Sequence, residues 1–210
     1  MRKCSVYAVG VIAVADVGLG NVASVRNMFD RLGFAAELRS TPDGLCEADR
    51  YVLPGVGSYD EGVRRLRSSG WFDYLRGLPS TTHLLGICLG MQLLGTTSEE
   101  GREQGLDRVP AHFQRFSTEQ LRVPHMGWNR VFPSQPDLLF DLALPELRYY
   151  FTHSYRAVCD DDSVSIGITH YGVDFTSAFR RANTRGVQFH PEKSHRFGMS
   201  LLRRWAELPC

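Results

Sequence analysis

The chain has 210 residues, 43% of them hydrophobic, with 24 basic against 23 acidic side chains and a net charge of +1. This is enough chain and apolar content for one α/β domain with a full core. The balanced charge, without a basic block, gives no support to nucleic acid or an anionic membrane as partner. The five cysteines (Cys4, Cys46, Cys88, Cys159 and Cys210) are odd in number, widely spread and without a C-x-x-C pair, which disfavours a disulfide framework or zinc ribbon and fits reduced thiols in the cytoplasm.

Arg2-Lys3 and the apolar run Cys4 to Ala15, ending Ala13-Val14-Ala15, imitate a secretory leader. The residues after Ala15 favour another reading, in which residues 1–10 are a short extension entering a first strand. Asp16-Val17-Gly18-Leu19-Gly20-Asn21 reads as a strand-end loop, and Val22, Val25, Met28, Phe29 and Leu32 fall on one helical face. Cleavage after Ala15 would remove the strand that feeds this helix. Val6–Ala15 is a near-continuous apolar run, as expected of a strand buried on both faces. The helix spans Asn21–Leu32 and stops at Gly33. Strands come next at Ala35–Arg39 and Arg50–Leu53, the second closed by Pro54-Gly55-Val56-Gly57. Glu61–Leu66 and Phe72–Leu75 read as helix, and His83–Ile87 as a strand. The alternation implies a parallel sheet with right-handed crossovers, whose ligands bind at the carboxyl ends of the strands. Asp16–Asn21, Pro54–Gly57 and Cys88 converge on that rim.

The second half changes character. His112–Phe116, Asn129–Phe132, Tyr149–Val158, Val164–Thr169, Thr176–Arg181 and Gly186–His190 are short and β-like, which predicts an antiparallel or mixed extension of the sheet. Asp160-Asp161-Asp162 reads as a solvated turn, and Phe197–Ala206 as a closing amphipathic helix.

Gly86-Ile87-Cys88-Leu89-Gly90 fits the nucleophile-elbow pattern with cysteine in the serine position. A sharp strand-to-helix turn leaves no room for side chains two positions either side of the nucleophile, and it aims the helix's first N–H groups at the group attacked. One hundred residues on, Val187-Gln188-Phe189-His190-Pro191-Glu192 offers an imidazole and a carboxylate two positions apart. Pro191 holds His190 extended, so Glu192 shares its face and can orient the ring. A buried cysteine alone is commonly a small hydrophobe; the flanking glycines and the His-Pro-Glu run favour nucleophilic thiol chemistry. The main rival is the Gly18-Leu19-Gly20-Asn21-Val22-Ala23 run, which fits a dinucleotide fingerprint with Glu37 about 20 residues on. His125–Asn129 and Tyr149–Tyr155 are aromatic clusters, mostly core, whose polar tips at His125, Trp128, Asn129, His153 and Ser154 can line a ligand or a subunit surface.

Together, Ile87-Cys88-Leu89-Gly90-Met91-Gln92, Pro54-Gly55-Val56-Gly57 and Val187–Ser194 resemble the class I (triad) glutamine amidotransferases. Within them, Gly18–Asn21, Pro124–Asn129, Phe151–Tyr155 and His190–Ser194 look like the glutaminase subunits of imidazole glycerol phosphate synthases, over about Val11 to Trp205. The resemblance implies a single flavodoxin-like α/β domain over residues 1–210, hydrolysing glutamine through a thioester at Cys88. It makes His190 base and then acid, with Glu192 orienting it, and Val56 and Leu89 backbone donors to the oxyanion. It places Gly55, Gln92, Glu100, His153 and Ser154 around the glutamine, and no cofactor or metal is implied. Ammonia would pass to a (β/α)8 barrel cyclase across a face including Gly18, Gly20, Asn21 and Trp128. Two departures bear on the acceptor. Val17 stands where the family often has an aromatic residue, and His195 follows the His-Pro-Glu-Lys-Ser run where many histidine-pathway members have glycine. A paralogous branch resembles this chain there, and it feeds ammonia to a sugar-modifying amidotransferase in surface-polysaccharide synthesis.

Overall fold

The computed structural model describes residues 10–44, 50–117, 119 and 121–209. Its strands are β1 (Ile12–Ala15), β2 (Ala36–Arg39), β3 (Arg50–Gly55), β4 (His83–Cys88), β5 (Thr97–Ser98), β6 (Ala111–Arg115), β7 (His125–Arg130), β8 (Phe132–Pro133), β9 (Arg148–His153), β10 (Tyr155–Cys159), β11 (Ser165–Tyr171), β12 (Val173–Arg181) and β13 (Thr184–Val187). The helices are α1 (Val22–Leu32), α2 (Tyr59–Ser68), α3 (Trp71–Gly77), α4 (Leu89–Leu94) and α5 (His195–Ala206).

The main sheet runs β2-β1-β3-β4-β13-β12-β10-β6-β5. Its first five strands are parallel, and β13–β12, β12–β10 and β10–β6 are antiparallel. The mixed extension expected from the short second-half strands is therefore present. β11 pairs with β12 and with β8, while β7 and β9 form a separate two-stranded sheet.

Alternation along the parallel strands divides the core into two layers. On one face Ile12, Val14, Val52, Leu85, Ile87 and Val187 meet Val25 and Phe29 of α1 and Leu201, Leu202 and Trp205 of α5. On the other, Ala13, Tyr51, Leu53 and Leu84 meet Val63 and Leu66 of α2, Trp71 and Phe72 of α3, and Leu93 and Leu94 of α4. Helix α1 begins where the Asn21 side chain accepts from the Ser24 N–H, and it ends at Gly33 (φ 85°), past which the Phe34 N–H returns to Phe29 O at 3.0 Å.

Several boundaries move from those read in the sequence. β1 covers only Ile12–Ala15, and residues 6–9 of the expected strand lie outside the described residues. The expected strand 149–158 is two strands broken at Ser154, whose carbonyl accepts from Phe116 N at 3.0 Å and turns the chain from the small sheet into the large one. The strand expected at Asn129–Phe132 lies earlier, at His125–Arg130, because its register is set by β9, with His125 opposite His153 and Arg130 opposite Arg148. β13 stops at Val187, so His190 lies beyond the strand.

Candidate active site

β3 and β4 end side by side, with Gly55 opposite Cys88, and β13 runs beside β4 with Val187 opposite Ile87. The rim convergence arises from these registers. Cys88 takes φ 54°, ψ −111°, a backbone conformation that L-residues rarely adopt. The spacing of its glycines has a steric cause. A Cβ on Gly86 would lie 2.7 Å from the Gly90 carbonyl, and one on Gly90 would lie 1.7 Å from Leu53 O. Helix α4 therefore touches the backbone of β3 directly, and only glycine permits that approach.

Beyond β13 the chain passes Gln188 and Phe189 to His190, which is 1% exposed. The His190 backbone is clamped twice: its N–H donates to Tyr150 O at 2.8 Å, and its carbonyl accepts from Ser194 Oγ at 2.6 Å. Its Nδ1 lies 2.6 Å from Glu192 Oε1. The route to that contact differs from the one read in the sequence. Glu192 sits in a 3-10 turn, Pro191–Lys193, and the turn rather than a shared strand face returns the carboxylate to the ring. Burial disfavours the imidazolium, but contact with Cys88 and Glu192 outweighs it and lifts His190 to about 9. The ring is thus set to hold a proton at neutral pH. Its Nε2 is buried and is left to Cys88, with no other partner among the described residues. The Cys88 sulfur lies 3.9 Å from Thr152 O and 3.8 Å from Gln188 Nε2.

A cavity of about 280 Å³ opens over Cys88, lined by Val56, Gly57, Leu89, Gln92, Glu100, Pro124, Thr152, His153, Ser154 and Tyr155. Gly55 lies just behind it, where a Cβ would press on Leu89 at 3.2 Å. Glu100 accepts from Tyr59 N at 2.9 Å, and burial pushes its carboxyl up. The His153 ring is committed to the protein. Its Nδ1 lies 2.7 Å from Tyr155 O and its Nε2 3.0 Å from His125 Nδ1, while Asn129 Nδ2 closes the chain 3.2 Å from His125 Nε2. Burial holds His125 down to about 4 and His153 to about 3, so both rings are neutral. Nothing in the sequence signalled this relay beyond the polar tips of the two aromatic clusters. Thr152, Pro124 and Tyr155 on the cavity wall were also unassigned there, as was Gln188 behind it.

The Gly18–Asn21 loop abuts the site: a Cβ on Gly20 would lie 2.9 Å from Val56 Cγ2. The geometry does not favour the rival dinucleotide reading. The Asn21 side chain caps α1, Arg65 Nη1 occupies the carbonyls of Val17 and Gly18 at 3.3 and 2.8 Å, and Glu37 pairs with Arg39 at 2.7 Å. Trp128 lies on the small sheet, 40% exposed, stacked on His195 with ring centroids 5.6 Å apart and planes 9° apart. His195 has φ 47°, a left-handed conformation that glycine adopts without strain and other residues rarely take.

The family described as Glutamine amidotransferase class-I matches residues 13–207. A Methanococcus maripaludis protein named imidazole glycerol phosphate synthase subunit HisH 2 is 43% identical over 93% of this chain and 98% of its own. A Sulfurimonas denitrificans protein named imidazole glycerol phosphate synthase subunit HisH is 42% identical over 94% and 98%. A solved structure titled glutamine amidotransferase superposes with a TM-score of 0.75 over 94% of this chain and 98% of its own; at 19% identity it speaks to the fold alone. The chain belongs to the class I glutamine amidotransferases, enzymes that hydrolyse glutamine.

Proposed function

We propose that this chain is the glutaminase subunit of an imidazole glycerol phosphate synthase in the cytoplasm. In this role it delivers ammonia to a (β/α)8 barrel cyclase that forms imidazole glycerol phosphate and AICAR in histidine biosynthesis. The observation that carries the reading is the strained cysteine beside a buried His190–Glu192 pair, in a chain 42–43% identical to subunits of that name.

The proton held on His190 leaves Cys88 Sγ free to attack the side-chain carbonyl carbon of glutamine. The oxyanion that forms takes hydrogen bonds from the backbone N–H groups of Val56 and Leu89. His190 then protonates the departing nitrogen, the C–N bond breaks, and ammonia leaves a thioester on Sγ. Water attacks the thioester, His190 takes its proton, and glutamate is released with the proton returned to the starting pair. Glu192 keeps the Nδ1–H pointed at itself and so reserves Nε2 for the sulfur and the leaving group. Glu100 pairs with the α-ammonium of glutamine, Gln92 and the backbone of Gly55, His153 and Ser154 hold the rest, and His153 contributes no ring nitrogen. Gly18, Gly20, Asn21 and Trp128 belong to the face that meets the barrel, where a closed path keeps ammonia from protonation and loss in water.

The test is two-part. Cys88→Ala should abolish glutamine-dependent synthesis by the complex by roughly 10³-fold or more while ammonium-dependent synthesis survives. The wild-type gene, with its cognate barrel, should restore growth without histidine to a strain lacking its own glutaminase subunit. Loss of ammonium-dependent synthesis as well would mean that Cys88 is structural. The sequence departure at His195, where the paralogous branch resembles this chain, favours a second reading with identical chemistry, in which ammonia goes to a sugar-amidating partner; complementation failure with an active glutaminase would select it.

A further inference from the structure

Gln188 is a polar side chain in an otherwise apolar run and is completely buried, at 0% exposure. It is the first residue beyond β13, and its backbone N–H donates to Ser177 O at 2.9 Å. The carboxamide lies between two groups of the site. Its Oε1 accepts from Gln92 Nε2 at 3.4 Å, and its Nε2 lies 3.8 Å from Cys88 Sγ. A buried carboxamide must place both ends against partners, and the partner of the donor end here is the sulfur itself.

We infer that Gln188 is a catalytic residue, donating an amide hydrogen bond to the Cys88 thiolate in an orientation fixed by Gln92. The inference rests on the reading of Cys88 as nucleophile. The opposite orientation of the amide would set carbonyl lone pairs against a sulfur that carries charge, so the thiolate itself selects the donor. Thr152 O can accept the S–H of the thiol, but it has nothing to offer once the proton has left. In the charged state, the sulfur retains the His190 imidazolium and the Gln188 N–H. The other titratable groups facing the site are Glu192 behind His190, the neutral His153 of β9, and Glu100 and Tyr155 on the cavity wall, the Tyr155 hydroxyl pushed up by burial. None of these is cationic, so the His190 imidazolium is the one cation at the sulfur among the described residues, and a buried neutral donor supplements it without adding a titrating group. Because Gln92 also lines the cavity, the amide that steadies the sulfur is oriented from the side where substrate enters.

The test uses Gln188→Met, which keeps the length but removes the donor, and Gln188→Glu, which replaces the donor with an acceptor. Iodoacetamide alkylation of Cys88 is followed by mass spectrometry between pH 6 and 9.5, together with steady-state glutamine hydrolysis. Each variant should alkylate roughly tenfold or more slowly at pH 7, the size expected for a hydrogen bond to a charged group. The gap should close towards pH 9.5, where solvent removes the proton, and kcat should fall with KM unchanged. A structural role alone would lower the melting temperature and leave the pH profile of alkylation where it was. Wild-type alkylation profiles in both folded variants overturn the inference. Failure of the nucleophile reading is distinguished by Cys88→Ala keeping glutamine-dependent activity.

Discussion

Gly90→Ala tests the elbow without touching the thiol. A Cβ at position 90 would stand 1.7 Å from Leu53 O and 2.8 Å from Leu53 C. Restoring an ordinary contact of 3.4 Å requires α4 and β3 to part by about 1.7 Å. β3 cannot yield alone, because it is paired with both β1 and β4 in the middle of the parallel sheet. α4 cannot yield alone either, because all six of its residues are buried. Overpacking in rigid cores typically costs 1–3 kcal/mol, and here the obstacle is backbone, so we expect a loss of at least about 3 kcal/mol. The displaced helix carries Leu89 and Gln92, so activity should fall more than the remaining folded fraction accounts for. Gly77→Ala is the control. It lies at the exposed end of α3 with nothing within 4 Å of a new Cβ, and it should be neutral or stabilising by up to about 1 kcal/mol. Urea unfolding at pH 7 reads both variants, alongside glutamine hydrolysis. A Gly90→Ala protein within about 1 kcal/mol of wild type, with its activity intact, would refute the close-approach argument.

Buried charge leads to two further expected outcomes. The Asp137 side chain is fully buried and bridges Arg180 at 2.7 Å and Arg185 at 3.2 Å, pinning residues 134–147 to β12 and β13. Asp137→Ala leaves two cations unmatched, one of them almost wholly buried, and should lower the urea-derived stability by about 3–5 kcal/mol; a change under about 1 kcal/mol would mean that the ion pair adds nothing. The pH dependence has two limbs. Burial depresses His83 to about 4, His125 to about 4 and His153 to about 3, so the unfolded chain binds more protons than the folded one below about 6.5 and stability falls with acid. His190, raised to about 9, acts oppositely: its contribution is complete below about 6.5 and is lost as pH rises through 9. Urea midpoints from pH 4 to 10 should peak near the crossover, and His83→Gln should flatten the acid limb; a flat profile would contradict these assignments.

What was legible in the sequence was what local rules determine. The elbow is a five-residue steric statement, α1 carries its own caps, and His190 and Glu192 are close enough in the chain that their meeting needs no distant partner. What was not legible depends on long-range pairing. β9 and β10 read as one strand because periodicity does not register that Phe116 takes the Ser154 carbonyl. The start of β7 is not marked locally, since its bounds are set by pairing with β9. Gln188 sat inside a recognised motif, but its neighbours in space, Gln92 and Cys88, are 96 and 100 residues away.

β9 carries a consequence for how this protein tolerates change. The Tyr150 carbonyl holds the backbone of His190, and the Thr152 carbonyl faces the Cys88 sulfur. Nucleophile and base, which arrive on β4 and after β13, are thus aligned by two peptide oxygens two positions apart on one strand of a different sheet. Peptide oxygens survive any side-chain replacement, so substitutions at 150 and 152 can retune the surface while leaving the alignment intact. Insertion or deletion of one residue is different: it would turn both oxygens to the opposite edge of the strand at once. Diversification at positions 150 and 152 therefore leaves the alignment in place, whereas a change of length does not, and a library built here should vary letters at those two positions and never spacing.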